Sequence, residues 1–321
     1  MKKNAVRLLF GFVSLYFLTI TAIAAEMLIP VGQVIGLELY HDKVTVAAFD
    51  DTLCVARESG LQIGDEICKI DGCRIETADD IRRALVQSDG SVDLTVMRSG
   101  KERQLHIEPA ITSDGPKLGV YLRQGITGIG TVTWYDPETQ TFGTLGHAVN
   151  DNKGNLLKMT RGHAYPASVV SVQKGKTGTP GQLKGALNTD ILLGRLTGNT
   201  TQGVFGAASV GWEGAAIPVA TCDQVRMGSA VIRSTVSDGA PRDYSVEIVK
   251  IYPKNRTDGR NMLIHVTDPE LLAATGGIVQ GMSGSPIIQN GKLVGAVTHV
   301  LVNDPTRGYG IFIENMLDAA S

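Results

Sequence analysis

Aromatic side chains are scarce: Phe, Trp and Tyr make up 5% of the 321 residues, so any core must be built from aliphatic groups. There are only four cysteines, Cys54, Cys68, Cys73 and Cys222, with no Cys-x-x-Cys pair. That pattern excludes a cysteine-based zinc site, and no Cys/His spacing suits another metal, so no metal or organic cofactor is expected. Unpaired cysteine behaves as a small apolar residue, and four free buried thiols are expected. A basic excess is also lacking. Lys and Arg number 30 against 32 Asp and Glu, a net charge of −2, which excludes an electrostatic nucleic-acid binder. Beyond the first residues there is no long apolar run, so the chain is not a polytopic membrane protein. Amphipathic helical patterns are few and short, chiefly Pro269–Ala274 and Glu314–Ala320.

Glycine is abundant, at 38 residues, and is interleaved with Val, Ile and Thr runs. Short strands joined by tight turns follow, so the chain reads as mainly β. At the N-terminus, Lys2, Lys3 and Arg7 precede an uncharged apolar run from Leu8 to Ala25. Its length, about 18 residues, favours an uncleaved anchor over a signal peptide cut after Ala22-Ile23-Ala24. The positive flank then stays in the cytoplasm and the rest of the chain is exported. Residues 1–28 form this anchor.

Residues 29–112 read as a small α+β domain. In Gly60-Leu61-Gln62-Ile63-Gly64-Asp65-Glu66-Ile67-Cys68-Lys69-Ile70-Asp71-Gly72, Gly60 and Gly64 suit turns and Asp65 can bond its own turn backbone. Thr77 is placed to cap a helix carrying Ile81, Ala84 and Leu85 on one face. Val92–Val96 alternates as a half-buried strand. This order resembles a PDZ domain, and the Gly60–Gly72 run is its specific part. Ile35-Gly36-Leu37 lies where that family has its carboxylate-binding loop. By the resemblance, a peptide (its own chain included) would add as a strand between that loop's strand and the helix from Thr77.

Residues 113–321 are dense in short strands, such as Val132–Tyr135, Ala167–Val172, Val246–Tyr252 and Met262–Val266, a pattern that fits a barrel or sandwich. Lys174–Gly181 reads as an exposed hairpin loop. The sharpest chemical signal is Gly281-Met282-Ser283-Gly284-Ser285-Pro286, followed by a hairpin closed at Asn290-Gly291. A serine nucleophile needs an exposed hydroxyl at a tight turn, with backbone N–H groups aimed at the oxygen that gains charge. The N–H groups of Gly281 and Ser283 can form that oxyanion hole. The hexapeptide resembles the Gly-Asp-Ser-Gly-Gly-Pro of chymotrypsin-like peptidases, whose fold is a double β-barrel.

The serine needs a base. Of the six histidines, His41 and His106 fall in the PDZ-like part, and His265 and His299 sit inside apolar strands. His147, in Gly143-Thr144-Leu145-Gly146-His147-Ala148-Val149, has the small neighbours that let an imidazole reach out; His163 is the remaining candidate. A carboxylate should fix the tautomer. Asp151 lies in a solvated turn. Spacing leaves Asp190 and Asp268 even, and Asp268, ahead of Pro269, also reads as a helix cap. An α/β-hydrolase is excluded, because the motif is not Gly-x-Ser-x-Gly and the histidine precedes the serine. An inactive peptidase fold serving as a peptide-binding scaffold is the rival reading.

From Gly276 to Lys292, then Gly295–Val300, Val302–Thr306 and Gly308-Tyr309-Gly310, the chain closely resembles the stage IV sporulation protein B family of sporulation-signalling serine peptidases. The resemblance spans essentially the whole chain after the anchor. It implies His147 as base, Asp268 as acid member and Ser283 as nucleophile. It also implies export from the forespore into the space between the spore membranes and self-cleavage near the N-terminus. The substrate it implies is a membrane-anchored regulator of a membrane metalloprotease. One departure from the wider class is Met282, where digestive relatives carry the Asp that binds a new N-terminus.

Overall fold

The computed structural model describes residues 26–151, 154–237, 239–256 and 258–321. The expected N-terminal anchor lies outside the described residues. Among those described, no helix is long and apolar enough to cross a membrane.

In chain order, β1 (Val34–Phe49) is followed by β2 (Glu66–Ile70), helix α1 (Ala78–Gln87), β3 (Val92–Arg98) and β4 (Lys101–Ile107). Next come β5 (Val120–Asp136), β6 (Thr141–Thr144), β7 (Arg161–Gln173), β8 (Gly194–Thr200) and β9 (Gly203–Ala208). Then β10 (Gly228–Ser234), β11 (Arg242–Ile251), β12 (Met262–Val266), α2 (Pro269–Thr275), β13 (Pro286–Gln289), β14 (Lys292–Val300), β15 (Arg307–Phe312) and α3 (Ile313–Ala320) complete the chain.

Two antiparallel rings result. In the first, β1 pairs β5, and the pairing continues through β6, β9, β8 and β7 back to β1. The second is a closed barrel of β10, β11, β12, β15, β14 and β13. Full closure removes the unpaired edges that a flat sheet would expose. The first ring buries Leu37, Leu39, Val132, Phe142 and Val204, and the second buries Ile232, Ile248, Ile264 and Phe312. Each such side chain contributes about 1.5–3 kcal/mol when fully removed from water, so aliphatic packing carries both cores.

The PDZ-like module extends from the first ring. β2, β3 and β4 continue the sheet beyond the second half of β1, and α1 packs Ile81 and Leu85 against Val44, Val46, Ile67, Leu94 and Val96. Thr77 caps α1 as expected: Asp80 N–H donates to Thr77 Oγ1 at 3.1 Å, and Thr77 N–H donates back to Asp80 Oδ2 at 2.8 Å. Asp65 accepts from Gln62 N–H and takes a two-pronged bond from Arg98, with Nε at 2.7 Å and Nη2 at 2.6 Å.

Two sequence expectations need correction. The boundary at residue 29 gave all of β1 to the PDZ-like part, yet Val34–Tyr40 pairs with β5 on one side and its Ile35–Tyr40 stretch with β7 on the other, inside the first ring. Only the second half of β1, after the register shift between Tyr40 and Thr45, belongs to the small module. The four cysteines are unpaired, but Cys54 and Cys73 are exposed and Cys68 and Cys222 half-buried: the first three fall in turns and on strands at the surface of the small module, and Cys222 packs at the margin of the second barrel's core.

Candidate active site

Ser283 sits in the turn between α2 and β13, and that turn is clamped to the first ring. Thr131 N–H, on β5, donates to Ser283 O at 2.9 Å, and Thr131 Oγ1 donates to Gly281 O at 2.8 Å. Gly284 has φ +96°, and a Cβ there would lie 2.0 Å from Thr131 O and 2.6 Å from Leu145 N. Only glycine permits this close approach of two backbones. Met282 is fully buried in the second barrel's core. It therefore anchors the turn by packing, where an Asp buried in its place would need a charged partner. The N–H groups of Gly281 and Ser283 have no acceptor among the described residues. Both are free to face a developing oxyanion.

His147 follows β6 through a strained corner. Leu145 has φ +69°, a left-handed conformation that costs a non-glycine residue about 1–2 kcal/mol. His147 Nδ1 lies 2.8 Å from Ala148 O. A carbonyl only accepts, so Nδ1 carries the hydrogen and Nε2 keeps its lone pair, the tautomer a general base requires. Burial holds this imidazole below its ordinary pKa, and the bond to Ala148 offsets only part of that.

His147 and Ser283 line one cavity of about 530 Å³ together with Gly281, Gln280 and His299. Its other walls are largely aliphatic, including Leu37, Ile129, Val149, Ile278 and Val300, and it contains no Asp, Glu, Lys or Arg. Pro180, from the loop expected to be an exposed hairpin, closes part of the rim. In this arrangement Ser283 Oγ donates to Thr298 O at 2.9 Å. The hydroxyl must therefore give up this bond before it can pass its proton to His147.

Asp268 is not brought to this pair. Its Oδ1 accepts from the N–H groups of Glu270 and Leu271, both at 3.0 Å, and its Oδ2 accepts from Ser245 N–H at 3.3 Å. It caps α2, with Pro269 at the first helical position, and does not line the cavity. Asp190 is exposed in the turn before β8, also away from the cavity. What sequence reasoning missed is His299. Its ring centroid lies 5.2 Å from that of His147, with the planes tilted by 43°. Its pKa is lowered to about 4, first by burial, then by the neighbouring His147 and Arg260, with Asp258 opposing. The signal was available: a hairpin closed at Asn290-Gly291 returns its second strand past the nucleophile, and Gly284 N–H does donate to Val297 O at 2.8 Å. Among the other histidines, His163 packs between Tyr40 and Tyr165, and His106 pairs with Asp93.

The expected peptide loop also moves. Ile35 and Leu37 are buried and hydrogen-bonded through strands on both sides, as is Gly36, so Ile35-Gly36-Leu37 has no free edge to offer a peptide. The groove of the PDZ-like module lies instead between α1 and the start of β5. It is lined by Ile81, Arg82 and Leu85 on one wall and by Leu118-Gly119-Val120 and Tyr121 on the other. Here β5 pairs with β1 along one edge, and its other edge is open among the described residues. Gly119 has φ +71°, and a Cβ would lie 2.3 Å from Leu53 O. A Leu-Gly-Val following β4 was the missed cue.

Comparisons with known proteins found partial similarities. Among solved structures, the PDZ domain of an SdrC-like protein from Listeria monocytogenes is 26% identical, over 26% of this chain and 88% of that one, with a TM-score of 0.23. The Rv3671c protease from M. tuberculosis, in its active form, is 15% identical, over 62% of this chain and 73% of that one, with a TM-score of 0.36. The protein Atu1380 of Agrobacterium fabrum, named a zinc metalloprotease, is 33% identical over 93 residues, 29% of this chain. The chain spans only 23% of that relative's length. The model of the SpoIVB peptidase S55 family matches residues 114–317, most of the chain and all of the cavity's catalytic candidates. The chain belongs to the SpoIVB peptidase S55 family and is a serine peptidase.

Proposed function

We propose that this protein is an exported, membrane-tethered endopeptidase, with Ser283 as nucleophile and His147 as base. Its target on this reading is a membrane-anchored regulatory protein, and its own N-terminal region, in signalling between forespore and mother cell. The observation that carries the chemistry is the shared cavity: a base with a free Nε2, a hydroxyl, and two uncommitted N–H groups. The sporulation setting and the regulator of a membrane metalloprotease as substrate follow from the resemblance over Gly276–Gly310. The anchor and export follow from the apolar run Leu8–Ala25.

In the reaction, Ser283 Oγ leaves Thr298 O and turns to His147. As Oγ bonds to the substrate carbonyl carbon, its proton passes to Nε2, and the carbonyl oxygen takes negative charge facing the N–H groups of Gly281 and Ser283. The imidazolium then delivers that proton to the leaving amide nitrogen as the C–N bond breaks. Water, deprotonated by His147, releases the acyl group and restores the serine hydroxyl.

The open edge of β5 supports a regulatory role for the PDZ-like groove. A peptide bound there would pair with the strand that also holds Ser283 through Thr131. With Met282 buried, control by a salt bridge to a new N-terminus has no counterpart here.

The test is a Ser283→Ala variant assayed for self-processing and for cleavage of a membrane-anchored substrate. Loss of both by several orders of magnitude supports the reading. Undiminished processing by the variant refutes it and leaves a peptide-binding scaffold.

A further inference from the structure

Beyond the aliphatic walls of the cavity, on the side where His299 stands, the surface turns cationic. The segment between β11 and β12, residues 252–261, packs against both histidine-bearing stretches of chain. Thr298 Oγ1, one residue before His299, donates to Gly259 O at 3.4 Å. A Cβ on Gly259 would lie 3.5 Å from Gly146 O, one residue before His147. Arg260 follows directly. Its charge is felt at His299, whose pKa is lowered to about 4 by burial first, then by His147 and by Arg260.

The side chains here form a stack of aromatic rings and cations. Tyr309 on β15 is the register partner of His299 on β14, so the two side chains share one face of the sheet. The Arg260 guanidinium lies over the Tyr309 ring, 5.0 Å from its centroid, and the Tyr252 ring is 6.5 Å from that of Tyr309. Arg256 and Lys250 lie over Tyr252 at 4.9 and 5.0 Å. Two neighbouring cations are matched: Arg256 pairs with Asp258, and Lys254 with Glu314 and Asp318. Arg260 is different. Asp258, taken by Arg256, reaches only the backbone N–H of Arg260, at 3.2 Å. Among the described residues no carboxylate pairs with the half-buried Arg260 guanidinium, and its buried Nε has no hydrogen-bond partner. Arginine drawn out of water is ordinarily paired, and a buried donor left without an acceptor calls for an account. The Tyr309 ring supports the face of the guanidinium but does not satisfy its N–H groups.

We propose that Arg260, on its Tyr309 platform, is a specificity site that binds an acidic side chain of the substrate a few residues from the scissile bond. The inference rests on the peptidase reading above. An extended peptide advances about 3.3 Å per residue. A chain with its scissile bond at Ser283 therefore passes His299 and comes to Arg260 within a few residues. The cavity walls suit apolar side chains next to the bond, and Arg260 supplies the charge those walls lack. A planar guanidinium held flat on a ring suits a carboxylate, which it can bind through two parallel N–H groups. Lys250, also without a carboxylate partner among the described residues, adds a second positive charge to the platform.

The experiment measures kcat/KM of the full chain on peptides of about ten residues with Leu beside the scissile bond. Glu, Gln or Lys is placed in turn at each position roughly two to four residues from that bond, on either side. At one or more of these positions the wild-type enzyme should prefer Glu to Gln by at least about fivefold, mainly through KM, and should disfavour Lys. The preference should shrink as salt is raised. Arg260→Gln should abolish it, Arg260→Lys should keep part of it, and Arg260→Glu should invert it, so that Lys is cleaved better than Glu. Damage to the fold alone would change all three peptides together and leave their ratios in place. Equal cleavage of the Glu and Gln peptides by wild type at every position overturns the proposal. So does a Glu preference that survives unchanged in a folded Arg260→Glu. Should the variants fail to fold, the wild-type ratios decide, and a Glu preference indifferent to salt overturns the proposal equally. If Ser283→Ala keeps wild-type activity on these peptides, it is the peptidase reading of the cavity that falls.

Discussion

Thr131 N–H donates to the carbonyl oxygen of Ser283 at 2.9 Å, so the proposed nucleophile of one barrel hangs from a strand of the other. The same strand, β5, starts as a wall of the groove of the PDZ-like module at Val120. One strand, β5, therefore carries both a wall of that groove and the clamp on the Gly281–Ser283 turn.

Thr131→Val tests the clamp. The change keeps the side chain's volume and removes the hydroxyl that donates to Gly281 O. Leaving that half-buried carbonyl unpaired should cost about 1 kcal/mol of stability. On the proposed mechanism Gly281 also supplies an oxyanion N–H, so kcat should fall roughly tenfold with KM little altered. Denaturant unfolding and steady-state kinetics on one preparation read both effects.

The division of β1 predicts which truncation survives. Phe49 and Val120 are register partners in an antiparallel pair. Replacing residues 50–119 by Asn-Gly joins them with a two-residue turn suited to a hairpin. That variant should fold as the two rings and cleave a short peptide, but lose any response to a groove-binding peptide. Deleting residues 30–110 removes Val34–Tyr40 from the first ring and should not yield folded protein. Circular dichroism and size-exclusion chromatography distinguish the two.

The cavity predicts substrate preference. Its walls are largely aliphatic and carry no Asp, Glu, Lys or Arg. Burying a charged substrate side chain there without a partner is expensive. Peptides with Leu, Val or Ile beside the scissile bond should be cleaved at least about 100-fold more efficiently than those with Asp or Lys, read as kcat/KM ratios.

The two imidazoles also set a pH dependence of stability. Burial lowers both pKa values, that of His299 to about 4. Between the unfolded value near 6.5 and these folded values, the unfolded chain binds more protons, so stability rises with pH there. The stabilisation is complete above about pH 6.5 and is progressively lost as the pH falls toward about 4. His299→Gln should flatten that slope, measured as urea midpoints across the range. For activity, the proposed base is the neutral form of His147, so kcat/KM should hold at and somewhat below pH 6.5 and fall only at lower pH.

Much of this was legible in the sequence, and the failures have physical causes. The Ser283 turn, the Asn290-Gly291 hairpin and the Thr77 cap are local signals, fixed by residues within a few positions of one another. The partner of Val34–Tyr40 is not local: an alternating strand gives the same pattern whether it pairs with a neighbouring module or with residues 125–131 and 161–166. The Ile35-Gly36-Leu37 loop was misplaced for that reason. Asp268 carried two roles on paper, and the helix-cap signal from Pro269 was the one its geometry follows. His299 read as a strand histidine, which it is. Only the register of the hairpin, carried past Ala296, reveals that it returns beside Ser283.

The most direct test is a crystal structure of the enzyme after treatment with a serine-reactive phosphonate. The account predicts phosphorus bonded to Ser283 Oγ, one phosphonyl oxygen within hydrogen-bonding distance of the N–H groups of Gly281 and Ser283, and His147 Nε2 facing the adduct. A label on any other residue, or an adduct whose oxygen points away from those two N–H groups, would contradict it.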